Sequence, residues 1–175
     1  MNTTVCPPST TAAAASNEFL NLAGAEGLGI DQMKLQKLLF YTHGYNLAIR
    51  EAPLFEQDFE AWPWGPVVRD IYFQTRAFGR QALTVRLQEI RRTGTDPLDY
   101  HFVTPPGVED EETRTFVKSA WDVYKNYSGI QLSNATHAPG EPWTIVRDQY
   151  GTLENKPTIP NELIADVFKK KLQAA

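Results

Sequence analysis

Residues 31–50 read DQMKLQKLLFYTHGYNLAIR and carry the clearest helical pattern in the chain. Asp31 is a suitable N-cap, and the pattern predicts a helix from about Gln32 to Arg50. One apolar stripe repeats at helical spacing, and it comprises Leu35, Leu38, Leu39, Thr42, Tyr45 and Ile49. Other apolar residues cover much of the remaining helix surface. A helix that is apolar on most sides is usually buried, so we expect this one at the centre of the domain.

The rest of the composition supports one hydrophobic core around that helix. A chain of 175 residues is the length of one ordinary domain, and its four Trp, seven Tyr and nine Phe can fill the core. Residues 1–15 are rich in Thr, Ala and Pro and lack the features of an export signal. We therefore expect a disordered tail over residues 1–15 and a single domain over residues 16–175.

Flanking patterns predict further elements before the middle of the chain. Ser16 or Asn17 is expected to cap a first helix, and residues 55–64 are expected to form a loop with at most a short edge strand, since Pro63 cannot donate a ladder hydrogen bond. Pro66 fits the first position of another helix, which Gly79 can end.

A small β-hairpin is expected next, and helices are expected after it. Residues 83–87 alternate apolar and polar side chains, residues 100–103 form a second candidate strand, and turn residues lie between them. Acidic residues 109–112 can start the next helix, which Gly129 is expected to stop, and shorter helices follow at 130–136, from Pro142 and at 160–172. The fold class is therefore mainly α: a compact multi-helix domain around a buried central helix with one small β-hairpin insertion, or α+β by a strict count.

Charge and cysteine content limit the compartment and the partners. The net charge of −4 disfavours a nucleic-acid partner, because such binding depends largely on neutralising phosphates. A local basic patch is the alternative, and its candidates are Arg80, Arg86, Arg91, Arg92 and Lys169, Lys170 and Lys171. Charged residues interrupt every hydrophobic run, so no membrane span is expected. The lone Cys6 cannot form an internal disulfide, which is consistent with a cytoplasmic protein.

Groups capable of catalysis are scarce, so we expect no enzyme activity, no metal and no cofactor. The three histidines, His43, His101 and His137, lack the spacing of a zinc motif, and no glycine-rich nucleotide-binding motif is present. His137 has two interpretations: a catalytic group without an identifiable nucleophile, or a helix-terminal imidazole that bonds the backbone and packs against Trp143. Lys34 and Lys37 are either an anion site or rim lysines whose ammonium groups stay in water.

Aromatic residues are crowded around a Pro-Trp-Gly-Pro turn, where they can serve as core or as contact surface. Trp62 and Trp64 flank Pro63 and precede Gly65, and Phe55 and Phe59 lie just upstream. Trp is a preferred anchor in protein interfaces, but it is equally a core residue. Both interpretations remain open from the sequence.

Several segments in one order resemble the Panacea domain family, whose members are also described as SocA-like or GepA-like. The segments are residues 33–41 (MKLQKLLFY), 44–45 (GY), 47–48 (LA), 53–55 (PLF), 59–62 (FEAW), 65–68 (GPVV), 132–137 (LSNATH), 142–143 (PW) and 159–164 (IPNELI). The likeness spans about residues 18–168. Residues 80–108 match poorly, as a variable insertion would.

The resemblance implies an antitoxin of bacterial or prophage origin that neutralises a cognate toxin by direct protein–protein binding. Delivery of the toxin to a AAA+ protease is the alternative, and a small enzyme using His137 is a more remote one. The implied partner is the toxin protein, with a homo-oligomer or a hetero-oligomer with toxin as the assembly. The signature residues, either structural or partner-contacting, are Lys34, Lys37, Tyr41, Gly44, Trp62, Gly65, Pro66, Thr136, His137 and Trp143. Because scaffolds of this kind meet different toxins, we expect toxin contacts in the variable elements, which are the hairpin at residues 83–103 and the tail before Ser16. The candidate toxin-contact residues are Trp64, Arg86, Arg91, Arg92 and Tyr100.

Overall fold

The computed structural model describes residues 7–175 and confirms a mainly α fold. Its helices are α1 (Ala12–Ala25), α2 (Gln32–Arg50), α3 (Arg69–Thr75), α4 (Glu111–Tyr124), α5 (Gly129–Thr136), α6 (Pro142–Tyr150) and α7 (Asn161–Ala174). Its strands are β1 (Phe59–Trp62), β2 (Gly65–Val67), β3 (Glu89–Arg92), β4 (Tyr100–Val103) and β5 (Thr158–Ile159). A 3-10 turn, Arg76–Phe78, follows α3.

Helix α2 has the predicted bounds and lies at the centre of the domain. Asp31 caps it by accepting a hydrogen bond from the Lys34 backbone N–H at 2.7 Å. Helices α1, α4, α5 and α7 all pack against it. Gly44 allows α7 to approach closely, since a Cβ at this position would lie 2.5 Å from the Phe168 ring. The apolar sides of α2 are thus buried, as the pattern indicated.

A three-stranded antiparallel sheet, in the order β2-β1-β5, lies beside the helices. The sequence predicted only a loop with a short edge strand here, and β5 was not anticipated. The expectation that Pro66 begins a helix was wrong: Pro66 pairs with Ala61 in β2, and α3 starts at Arg69. Pro66 is tolerated because β2 is an edge strand, where a missing N–H need not interrupt the ladder.

The predicted hairpin is present, but its first strand lies later than expected. Strands β3 and β4 pair antiparallel with Ile90 opposite Phe102, whereas residues 83–87 form no strand. Their backbone bonds go elsewhere: Leu83 donates to the Ile30 carbonyl at 2.8 Å, and Leu87 donates to the Asn17 side chain at 2.8 Å. Leu83 and Leu87 are buried in the core, which accounts for the alternation that resembled a strand.

Helix α1 begins at Ala12 with Thr11 as its N-cap, so the expected tail boundary at residue 15 and the capping role of Ser16 or Asn17 were wrong. Residues 12–15 are four alanines that are helical and buried, because their small side chains let the helix pack closely. Asn17 instead faces the core, where its amide donates to the Leu87 and Pro105 carbonyls at 2.9 and 2.7 Å. Residues 1–6 of the expected tail lie outside the described residues.

The later helices follow the prediction, with small shifts at their ends. Helix α4 ends at Tyr124, and Gly129 begins α5 instead of stopping α4. Helix α6 starts at Pro142 as predicted, and α7 starts one residue after Pro160. Across residues 7–175, no helix has the length and hydropathy that a bilayer span requires.

Candidate functional site

Four signature residues from three separate segments meet at the β1–β2 turn. The Lys37 ammonium donates to the Pro66 carbonyl at 3.1 Å, and the side chain is only 1% exposed. Gly65 adopts a φ of +104°, and a Cβ there would lie 2.7 Å from Thr136 Oγ1 and 2.8 Å from Lys37 Cε. Gly65 is therefore required both for its backbone conformation and for space.

Three more signature residues extend this cluster to α6. The Trp143 indole donates to the Trp62 carbonyl at 2.8 Å, and the His137 ring stacks on Trp143 with centroids 3.9 Å apart. Within the described part of the chain, His137 Nε2 is buried and has no hydrogen-bond partner, so this nitrogen does not make the expected bond to the backbone. Stacking at the end of α5 matches the packing interpretation of His137.

Burial controls the charge state of this cluster. It lowers the pKa of Lys37 to about 7, because the ammonium has lost its water and faces a neutral carbonyl. Burial, helped by the positive charges of Lys37 and Arg147, also lowers the pKa of His137. The Lys37 ammonium is buried and the His137 ring is stacked, so neither is placed as an accessible nucleophile. The geometry fits a structural role, in which these residues hold the β1–β2 turn against α2, α5 and α6.

Lys34, about one helical turn before Lys37 in α2, also binds a backbone carbonyl. Its ammonium donates to the Lys125 carbonyl at 2.5 Å, at the C-terminal end of α4, and lies 5.4 Å from the Trp121 ring centroid. A cation at this position complements the helix dipole. The expectation that the Lys37 ammonium stays in water was wrong, because that side chain is buried. Each of the two ammonium groups donates to a backbone carbonyl.

Tyr41 lines a tyrosine-rich pocket that the sequence patterns did not indicate. Its ring stacks on Tyr124 at 4.9 Å, and burial raises the pKa of both phenols. The pocket has a volume of about 350 Å³ and also includes Tyr45 and Tyr127. Its lining residues come from α2, α4, α5 and α7 and from the segments that follow α4 and α5, so only the tertiary structure brings them together.

The five expected toxin-contact residues fall into two places. Trp64 lies in the β1–β2 turn and is 70% exposed, while its carbonyl accepts from Ser133 Oγ at 2.8 Å. The other four lie in or next to the hairpin, but they differ in whether their side chains are free to contact a partner. Arg86 is held by α1, since it donates to the Asn17 carbonyl at 3.0 Å and to the Asn21 side chain.

The remaining hairpin candidates stay at the surface. Arg91 forms an ion pair with Glu89, and Arg92 donates to the Thr95 carbonyl at 3.1 Å. Tyr100 is exposed and carries its ring on the hairpin. Arg91, Arg92 and Tyr100 are thus brought together, while Arg86 is already occupied.

Apolar side chains that the sequence did not single out dominate the exposed hairpin. Ile90 is 61% exposed and Phe102, directly opposite, is 75% exposed. Exposed Leu98 lies in the turn, and exposed Phe73 lies on the nearby helix α3. A groove of about 890 Å³ runs between β3, α3 and residues 8–13. The tertiary structure is needed to find this surface, because each residue by itself looks like a possible core position.

Metal chemistry has no support in the described geometry. Within residues 7–175, no group of three or more His, Cys, Asp or Glu side chains is arranged to hold a metal ion. The histidines lie in different surroundings. His43 is buried against Phe55 and hydrogen-bonds the Asn161 side chain, whereas His101 lies on the hairpin beside Asp99.

Comparison with known proteins identifies the family. The model of the family "Antitoxin SocA-like, Panacea domain" matches residues 35–144. Antitoxin SocA of Caulobacter vibrioides (strain NA1000 / CB15N) is 32% identical over 146 residues, which cover 83% of this chain and 75% of that protein. No solved structure is significantly similar to the chain. The helical core, the signature cluster and these matches agree, and the chain belongs to the SocA-like antitoxin family that carries the Panacea domain.

Proposed function

We propose that this chain is a non-enzymatic antitoxin that neutralises a cognate toxin by binding it directly through the β3–β4 hairpin and the adjoining groove. The observation that carries the proposal is the exposed apolar pair Ile90 and Phe102 on a projecting hairpin. Contiguous exposed apolar side chains on a folded domain commonly mark a protein-binding surface. The antitoxin relative supplies the class of partner.

The base of the hairpin is held firmly, which suits a binding element. Asn17 bonds the backbone of both chain segments that lead into the hairpin, at Leu87 and at Pro105. Glu18 accepts from the Val108 N–H at 3.1 Å on the same side of α1. A surface fixed before binding loses less conformational entropy on association, which favours affinity.

The signature cluster supports the non-enzymatic part of the proposal. Lys37 and Trp143 donate to backbone carbonyls of the two strands, and His137 stacks on Trp143, so their positions serve the packing of the β1–β2 turn. In this view Trp64, which that turn presents to solvent, is a second contact point. We place the encounter with the toxin in the cytoplasm, as the lone Cys6 indicates.

The test is co-expression with the protein encoded beside this chain's gene. We expect growth rescue and a complex that survives size-exclusion chromatography. Replacing Phe102 by Ser is expected to abolish both, whereas replacing Val123, an exposed residue of α4, by Ser is expected to preserve both. Failure of the wild-type chain to rescue growth or to form a complex contradicts the proposal.

Toxin abundance separates blockade from protease delivery. A direct inhibitor leaves the toxin at its normal level within a stoichiometric complex. An adaptor for a AAA+ protease lowers the toxin level, and deletion of the protease restores it. The second result would replace blockade with delivery while leaving the hairpin as the docking surface.

A further inference from the structure

Within residues 7–175, the outer edge of β3 has backbone hydrogen-bonding groups without a partner. At the preceding residue, Gln88, the backbone N–H donates to the Gln74 side chain at 2.8 Å and the carbonyl accepts from it at 2.9 Å. Alternate residues of a strand present their backbone groups to the same side. The groups of Ile90 and Arg92 therefore point to the Gln74 side, away from β4. The sheet contains only β3 and β4 in the described part of the chain, so no strand covers this edge.

The pairing within the hairpin supports this assignment. Thr93 donates to the Asp99 carbonyl at 3.2 Å, which places the odd-numbered residues on the β4 side. Ile90 and Phe102 are then a non-hydrogen-bonded pair, whose side chains lie close together on one face. Both side chains line the groove beside the open edge. An added strand would meet backbone groups along its side and an apolar surface on one face.

The groove carries an excess of negative charge. Four carboxylates line it, those of Glu56, Asp70, Glu89 and Glu109, against one guanidinium, that of Arg91. Arg91 is paired with Glu89. Within residues 7–175 the other three carboxylates form no ion pair. Although the hairpin is rich in arginine, its groove therefore favours a basic ligand.

We propose that an extended, basic segment of the partner protein adds as a strand to the outer edge of β3 and lies in this groove. Strand addition to an exposed sheet edge is an established mode of peptide recognition, in which backbone bonds give affinity and side-chain contacts give specificity. The identity of the partner as a toxin rests on the proposed function, but the groove and its ligand chemistry do not. A second copy of this chain fits less well, because edge pairing would bring two acidic grooves together.

The probe is a synthetic decapeptide of alternating Lys and Val, with blocked termini. We expect it to bind the full chain and to slow hydrogen exchange at the backbone amides of Ile90 and Arg92, measured by NMR. A peptide that carries N-methyl groups at all central residues has the same charge but cannot donate these bonds. It is expected to bind at least about tenfold more weakly. An alternating Glu and Val peptide is expected not to bind.

Charge reversal in the protein tests the acidic lining. The double variant Glu56→Lys/Glu109→Lys is expected to weaken peptide binding by about tenfold at low salt. The matched control Glu154→Lys/Asp166→Lys makes the same change in net charge at exposed residues outside the groove. Its affinity is expected to stay within about twofold of the wild type, because distant exposed charges are screened.

Three results would overturn the inference: no binding of the Lys and Val peptide, equal binding of its N-methylated form, or protection at amides away from Ile90 and Arg92. A free chain that sediments as a dimer with both amides already protected would assign the edge to a second copy instead. The proposed function is judged separately by growth rescue. If the peptide binds but growth is not rescued, the groove remains a binding site for a basic strand and the antitoxin role is refuted. If growth is rescued but the peptide does not bind, the antitoxin role stands and the strand-binding groove is refuted.

Discussion

Replacement of Lys37 by Met tests directly whether the Lys37 ammonium is desolvated in the folded protein. Lys37 is fully buried, and its ammonium has one hydrogen bond, to the Pro66 carbonyl at 3.1 Å. Met has a similar volume and carries no charge, so it can occupy the same space. The variant thus removes the buried charge and one hydrogen bond, and leaves the surrounding packing largely intact.

The expected change in the free energy of unfolding follows from the pKa of Lys37. Burial lowers this pKa from 10.5 to about 7. The difference corresponds to roughly 5 kcal/mol of destabilisation below about pH 7, where the folded protein must hold the charged form. Leaving the Pro66 carbonyl without its donor costs roughly 1 to 3 kcal/mol. The Met variant is therefore expected to be more stable than the wild type by about 2 kcal/mol near neutral pH.

The stability difference between the Lys37→Met variant and the wild type depends on pH. Between about pH 7 and pH 10.5 the unfolded chain keeps the Lys37 proton and the folded protein releases it, so wild-type stability rises with pH by about 1.36 kcal/mol per unit. The Met variant lacks this contribution. Its advantage should fall by about 3 kcal/mol from about pH 6 to about pH 9.5 and then vanish or reverse.

Urea unfolding followed by far-ultraviolet circular dichroism measures this difference. Replacing the exposed Lys170 by Met removes the same charge from the surface of α7 and is the control. Its effect should stay within about 0.5 kcal/mol of the wild type. A stability difference for the Lys37 variant that does not change with pH would refute the reasoning, since the ammonium would then not be desolvated.

Three further predictions concern packing and the hairpin. Gly44→Ala should destabilise the protein by about 1 to 3 kcal/mol in urea unfolding, because its Cβ meets a phenyl ring of α7; Gly24→Ala, which meets nothing within 4 Å, should instead stabilise α1 by about 0.5 to 1 kcal/mol. Asn17→Ala removes three hydrogen bonds at the base of the hairpin, so it should lower the free energy of unfolding by about 3 kcal/mol and speed hydrogen exchange across residues 87–105. Unchanged exchange in these residues would contradict the role of Asn17 in holding the hairpin. Phe102→Ser should leave the melting temperature nearly unchanged while weakening toxin binding at least about tenfold, and a matching loss of stability would assign this side chain to the core; Val123→Ser is the control.

Some of this architecture is predictable from local sequence. Helix α2 has its predicted bounds because Asp31 caps it and its apolar residues repeat at helical spacing. The start of α6 at Pro142 and the strand β4 also follow from neighbouring residues. In these elements the hydrogen bonds join residues close in sequence, so a short window contains the required information.

The errors occur where hydrogen bonds join distant residues. Residues 83–87 alternate like a strand, yet their backbone bonds to Ile30 and Asn17 exclude a strand partner. Pro66 resembles a helix start, but pairing with β1 places it in a strand. The alanines before Ser16 look like a tail because their small side chains show no amphipathic pattern, although α1 buries them.

The candidate site divides in the same way. The signature residues could be recognised from the order of their motifs, but their contacts could not, since Lys37 and Thr136 approach Gly65 only in the folded chain. The hairpin surface was expected, but its chemistry was not, because the arginine-rich sequence does not show that Arg86 and Arg91 are already engaged.

The sequence by itself determined the helical class, the buried central helix and the family, because cap residues, apolar periodicity and motif order are local properties of the chain. Only the tertiary structure decided that Lys37 is desolvated, that no strand within residues 7–175 covers the outer edge of β3 and that the groove beside it is acidic. Desolvation and charge balance depend on which distant groups are brought together, and the chain order does not contain those distances.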